Sequence, residues 1–184
     1  MAIVTEAIYT AEEYARLPDR GVPTELVKGK VVSMNVPAPR HGEICTLIAR
    51  LVGNYVDEHR LGRVVVNDSG VITERNPDTV RGADAAFYSY ARVPPGPLPQ
   101  GYLSVVPELV FEVRSPTDRW ARILRKVTEY LDAGVTAVCV LDQMTETVYV
   151  YRGDAEPQTL HGDDELKLPE ILGAFAVPVQ RFFA

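Results

Sequence analysis

Apolar residues recur at Ile44, Leu47, Ile48, Leu51, Val52, Tyr55 and Val56. That three-and-four spacing lines one face of a helix, so a helix is expected from His41 to His59, stopped near Gly62. Upstream, Thr10-Ala-Glu-Glu13 has the form of a capping box. Its hydroxyl and carboxylate each satisfy a free backbone donor, which predicts a short helix to Leu17 that Pro18 ends. Between the two, TELVKGKVVSMN reads as a pair of strands joined near Lys28-Gly29 and closed by Pro37-Ala-Pro39. After the long helix come three β-rich runs, RVVVN, GVITE and ADAAFY, separated by turn residues. The stretch VPPGPLPQGY then lacks donors at its prolines and reads as a loop crossing the surface or lying over a cleft.

LVFEVRS alternates, with Leu109, Phe111 and Val113 on one face and Val110, Glu112 and Arg114 on the other. A second amphipathic helix is expected from Asp118 to Ala133, ended by Gly134. Trp120, Ile123, Leu124, Val127, Tyr130 and Leu131 share the arc that faces the core, and Arg119, Arg122 and Lys126 an adjacent one. Lys126 stands at the boundary with Tyr130 one turn on, from where its long stem can reach back over the sheet edge. The helix feeds the strands TAVCVLD and TVYVYR, so strand, helix and strand form a parallel βαβ unit. A polar turn (GDAEP), the segment HGDDELKL and an apolar run to Phe182 and Phe183 close the chain. The reading is a mixed α+β or α/β fold.

At 184 residues, with 46% hydrophobic and 24% charged, the chain has the balance of a soluble globular protein rather than a disordered or disulfide-built one. Area scaling lets a fold of this size hide roughly 70% of its extended-chain surface, enough for a core without staples and for one domain over 1–184. The net charge of −6 supplies no global basic field for nucleic acid, so phosphate contact must come from a local patch. Cys45 and Cys139 sit in apolar runs without zinc or redox-pair spacing and read as buried, reduced thiols. Glu6 comes too soon for a signal peptide and no stretch approaches membrane-span length, so a cytoplasmic protein is expected.

No GxSxG, GxGxxG, Walker lysine loop, HExxH or CxxC occurs. What remains is Asp84 at a strand start, Glu112 inside a strand and a basic helix after it. Two carboxylates on neighbouring strands can hold a hard divalent ion such as Mg²⁺, which prefers oxygen ligands. A buried Glu112 without a partner costs several kcal/mol or protonates. Its partner could be a metal, Lys126 or Arg114; a structural ion pair or a strand face open to solvent explains it equally.

Taken together, TAEEY-x-x-LP, ELVKGKVVSM, a lone His41 opening a helix, PDTVRGADAAF, PELVFEVRSPTDR and KVTEYLDAGV resemble the Uma-type restriction endonucleases, in order and over nearly the whole chain. The resemblance implies the PD-(D/E)xK nuclease fold, a restriction-endonuclease-like mixed β-sheet flanked by helices. It makes Asp84 the first metal-binding acid and Glu112 the second. The lysine expected two residues after Glu112 is Arg114 here, and Lys126 with Tyr130 resembles a displaced K/Q-xxx-Y arrangement, so Lys126 is the candidate catalytic lysine. Glu25 and His41 match an acid and a histidine of the family pattern and are accessory candidates, as are Arg114 and Tyr130. Three positions depart from the pattern: Ala83 replaces a proline before the first acid, and Cys139 and Gln143 stand near where a Trp and a Pro are common.

The implied activity is Mg²⁺- or Mn²⁺-dependent phosphodiester hydrolysis, of DNA in the first instance. Asp84, Glu112 and the Val113 carbonyl would hold the ion, Lys126 would orient water or stabilise developing charge, and Arg119 and Arg122 would contact phosphate. Arg114 cannot act as a base, and its planar fork suits phosphate or carboxylate. A homodimer would let two sites address two strands. The alternatives are a catalytically silent nuclease-like binding or regulatory module, and an oligomeric scaffold associating through VVVN and TVYVY.

Overall fold

The computed structural model describes residues 7–18, 21–153 and 155–184. The opening residues up to Glu6, and Asp154 of the GDAEP turn, lie outside them. The elements in chain order are α1 (Ala11–Tyr14), β1 (Thr24–Val27), β2 (Lys30–Ser33), α2 (Pro39–Glu58), β3 (Gly62–Glu74), β4 (Thr79–Ser89), β5 (Leu109–Arg114) and α3 (Trp120–Asp132). There follow β6 (Ala137–Asp142), β7 (Thr147–Tyr151), β8 (Gln158–His161), β9 (Glu165–Lys167), α4 (Pro169–Leu172), β10 (Ala176–Pro178) and a 3-10 turn, Val179–Phe182. The capping box forms as expected, Thr10 accepting from the Glu13 amide and Glu13 from the Thr10 amide. Among the described residues no helix is long and apolar enough to cross a membrane.

β1 to β8 form one mixed sheet in the order β2-β1-β4-β5-β6-β7-β8, with β3 paired to β4. β5 and β6 are parallel through α3, the expected crossover, and the other strand pairs of this sheet are antiparallel. Helices cover both faces. On one, Ile44, Ile48, Val52 and Val56 of α2 pack on Phe87, Leu109, Phe111 and Val113 and on the C-terminal Phe175 and Phe182. On the other, Ile123, Val127 and Tyr130 of α3 pack on Val110, Val138 and Val140. Each such side chain taken from water contributes about 1.5–3 kcal/mol, so the alternation along β5 decides which helix each of its residues meets. Glu112, in phase with Val110, is thereby committed to the α3 side.

Four expectations need correction. Asp84, expected at a strand start, lies inside β4, which begins five residues earlier at Thr79. RVVVN and GVITE are one strand, β3, continuous through a bulge at Val66–Ser69 where Asn67 and Asp68 take φ of 68° and 52°. Asn and Asp tolerate the left-handed region, and that property serves a bulge as well as the turn it suggested. Leu124 is 41% exposed, whereas Lys126 takes a core-facing place on α3. The reason is that Glu112 and Glu25 give the ammonium a buried destination. Cys45 is only half-buried; Cys139 is buried, and both are free thiols. The proline-rich segment runs over the surface, Arg63 donating to the Pro94 and Gly96 carbonyls, and does not line the cleft described next.

Candidate active site

β4 is flanked along its full length by β3, but its other edge is shared. β1 reaches it at Val80 and β5 joins it at Ala85–Phe87. Gly82 and Asp84 lie in the fork between those two strands. With no ladder partner there, the backbone recruits side chains, because buried polar groups go unpaired only at a cost. The Gly82 amide donates to Glu25 Oε1 (3.2 Å) and its carbonyl accepts from Lys126 Nζ (2.9 Å). A cleft of about 370 Å³ opens at the fork, lined by Glu25, Asp84, Glu112 and Lys126 and walled by His41 of α2 and Arg122 of α3.

Glu112 is 3% exposed and both its oxygens are engaged: Oε2 accepts from Lys126 Nζ at 2.6 Å and Oε1 from the Tyr130 hydroxyl at 2.8 Å. The i,i+4 spacing of Lys126 and Tyr130 on α3 brings both donors to the same carboxylate. Burial, helped by the Asp84 charge, pushes Glu112 up to about 7 against the pull of Lys126. Burial also works against the Lys126 charge, but Glu112, Glu25 and Asp84 outweigh it and raise the lysine, which stays an ammonium.

Asp84 is held from both sides. Val113 N–H donates to Oδ2 at 2.6 Å and His41 Nε2 lies 3.1 Å from Oδ1. Ser115 Oγ is 3.3 Å from the other ring nitrogen of His41. Burial lowers the tendency of His41 to charge, yet the Asp84 hydrogen bond, with a smaller share from Cys45, holds its pKa at about 10. An imidazolium–carboxylate pair results at neutral pH. Behind it, Arg81 bridges Glu25 (2.7 Å) and both oxygens of Glu129 on α3 (2.5 and 2.9 Å). Glu25 is lowered: burial raises it, and Lys126 and Arg81 more than reverse that.

The structure thus gathers Glu25, His41, Asp84, Glu112, Lys126 and Tyr130 around one fork. Arg122 lies at the cleft wall, exposed, its guanidinium on Met34 Sδ. Arg119 is exposed at the N-cap of α3 and is not a cleft residue. Arg114 does not line the cleft either: it pairs with the buried Asp142 at 2.9 Å and stacks over Trp120 at 4.9 Å. Two groups escaped the sequence reading. Asp68 lines the cleft from the β3 bulge, where a Cβ on Gly82 would come within 3.0 Å of it. Cys45 sits beside His41 and Asp84; its spacing of four from His41 on a helix was the available signal. Burial and the Asp84 charge raise Asp68.

In donor chemistry, the Asp84 and Glu112 carboxylates with the Val113 carbonyl form an all-oxygen set, which suits a hard ion such as Mg²⁺ or Mn²⁺. A model of the Uma2 family, described as "Putative restriction endonuclease", matches residues 11–180. No curated protein matches the sequence. Among solved structures the chain is similar to "a putative nuclease belonging to DUF820" from Anabaena variabilis ATCC 29413, at 20% identity and a TM-score of 0.83 over 95% of this chain and 97% of that one. At that identity the likeness speaks for the fold.

Proposed function

The chain belongs to the Uma2 family, and from that premise we propose that it is a divalent-metal-dependent nuclease whose centre is the β4 fork. The observation that carries the reading is the convergence of Asp84, Glu112 and Lys126 on one cleft from three separate elements. Asp84, Glu112 and the Val113 carbonyl would hold Mg²⁺ or Mn²⁺. The chemistry such an ion supplies is polarisation of the scissile phosphate and a lowered pKa for its water. Lys126, held as an ammonium by Glu112 and Gly82 O, stabilises charge developing on phosphate and is not a base. Tyr130 fixes the Glu112 rotamer, and His41 with the Val113 amide fixes Asp84. Arg122 contacts the nucleic-acid backbone at the cleft wall, whereas Arg114 supports β5 and β6. DNA is the substrate proposed, in a protein that can work as a homodimer.

A second reading, a nuclease-like binding or regulatory module without turnover, has one observation in its favour. All four oxygens of Asp84 and Glu112 already meet donors of this chain. The test is cleavage of supercoiled plasmid and single-stranded DNA in Mg²⁺ or Mn²⁺ by wild type, Asp84→Asn and Glu112→Gln. The nuclease reading expects cutting by wild type and a loss of about 10²-fold or more in each variant. A wild type that binds Mn²⁺ and cuts neither substrate, or binds no Mn²⁺, selects the silent module.

A further inference from the structure

Beyond the oxygen ligands, the cleft carries a second donor set of different chemistry. His41 and Cys45, one helical turn apart on α2, face Asp84 of β4, and one ligand atom from each lies within 4.8 Å of the other two. We propose that His41, Cys45 and Asp84 bind a borderline-soft divalent cation of the Zn²⁺ class. Imidazole, thiolate and carboxylate are the three ligand types that such an ion accepts, and Mg²⁺ has little use for the first two; binding releases the Nε2 proton of the His41 imidazolium and the Cys45 thiol proton to solvent.

The geometry is close to what a tetrahedral centre requires. Bond lengths of roughly 2.0–2.3 Å put neighbouring ligand atoms about 3.3–3.7 Å apart. His41 Nε2 and Asp84 Oδ1 are already 3.1 Å apart, and all three ligand atoms lie within 4.8 Å of one another, so closure needs a shift of up to about 1.5 Å at the tip of Cys45. Ser115 Oγ, 3.3 Å from His41 Nδ1, leaves Nε2 as the coordinating nitrogen, the orienting contact that metal-bound histidines use. Cys45 is half-buried rather than sealed, unlike Cys139. The fourth position belongs to the cleft side, where Asp68 lines the wall.

Asp84 is common to this site and to the proposed Mg²⁺ site. A bound Zn²⁺ therefore takes one of the two carboxylates from the hydrolytic centre and opposes cleavage. That consequence rests on the nuclease reading; the binding does not.

Co²⁺, a spectroscopic stand-in for Zn²⁺, tests the ligands directly. Wild type is expected to take up one equivalent with a thiolate-to-cobalt charge-transfer band that added Zn²⁺ abolishes. In Cys45→Ser the band is expected to disappear and Zn²⁺ affinity, from competition with a chromophoric chelator, to fall by at least about tenfold. Absence of the band in wild type, which no folding defect can explain, overturns the proposal, as does a band that persists in folded Cys45→Ser. Cleavage in Mg²⁺ without the band fails this inference alone, and the band without cleavage fails the nuclease reading alone.

Discussion

Replacing Lys126 with Met removes the ammonium from the middle of the fork while keeping most of the side-chain volume. Its Nζ lies 2.6 Å from Glu112, 2.9 Å from the Gly82 carbonyl and 3.3 Å from Glu25. Deleting one partner of a buried pair costs about 3–5 kcal/mol when the other stays charged. Glu112 can escape that cost by protonating. Already raised to about 7 by burial with Lys126 present, it rises further in Lys126→Met. At and below pH 7 the glutamic acid in the variant is therefore neutral, and what remains is the lost hydrogen bonding, about 1–2 kcal/mol. Above pH 7 wild type ionises Glu112 and the folded variant does not, whereas both unfolded chains do. The gap then widens by about 1.4 kcal/mol per pH unit. From pH 7 to pH 8.5 this adds about 2 kcal/mol, bringing the total to about 3–4 kcal/mol. Urea unfolding of both proteins across pH 5.5–8.5 reads the gap. A constant gap, or one that narrows as pH rises, refutes the buried Lys126–Glu112 pair.

Asp78→Ala is expected to cost about 2–3 kcal/mol in urea unfolding at pH 7, because the Ala11 and Asn76 amides (2.7 and 3.2 Å) and Arg75 lose their acceptor. Burial would raise Asp78, but those amide donors and Arg75 hold it below its ordinary 3.8. Its contribution is thus present above that value and fades as pH falls through the lower folded one, so the wild-type advantage shrinks in acid. Arg122→Ala is expected to weaken DNA binding and lower the salt slope of log K by about one, as one phosphate contact is lost. Arg114→Ala, which leaves Asp142 buried without its cation, is expected to keep DNA affinity in the same titrations and lose about 1–3 kcal/mol of stability.

What could be seen in the chain followed from periodicity. Alternation along β5 put Glu112 opposite the face of Phe111, and the helical arc of α3 put Lys126 and Tyr130 within reach of it. Each signal depends on neighbours in sequence. The fork is different: that β1 and β5 divide one edge of β4, leaving Gly82 and Asp84 between them, is a property of strand order. Arg81, clamped between Glu25 and Glu129, carried no local signal because both its partners are about fifty positions away. Arg114 was misleading for a related reason: its place two residues after Glu112 pointed to the centre, but Asp142, opposite it on parallel β6, claims it. Asp68 was hidden because Asn-Asp-Ser-Gly specifies positive φ without saying whether the strand turns back or bulges. His41 and Cys45 carried a readable ligand spacing, obscured by the apolar run around the thiol.

The most direct test of the nuclease centre is the single-turnover rate of plasmid cleavage in saturating Mn²⁺ at pH 7, where Lys126→Met remains folded, measured with the Kd for the same DNA. Wild type is expected to cut, and Lys126→Met to bind within a few-fold of wild type while its cleavage rate falls by about 10²-fold or more. Cleavage by Lys126→Met at the wild-type rate would contradict this expectation.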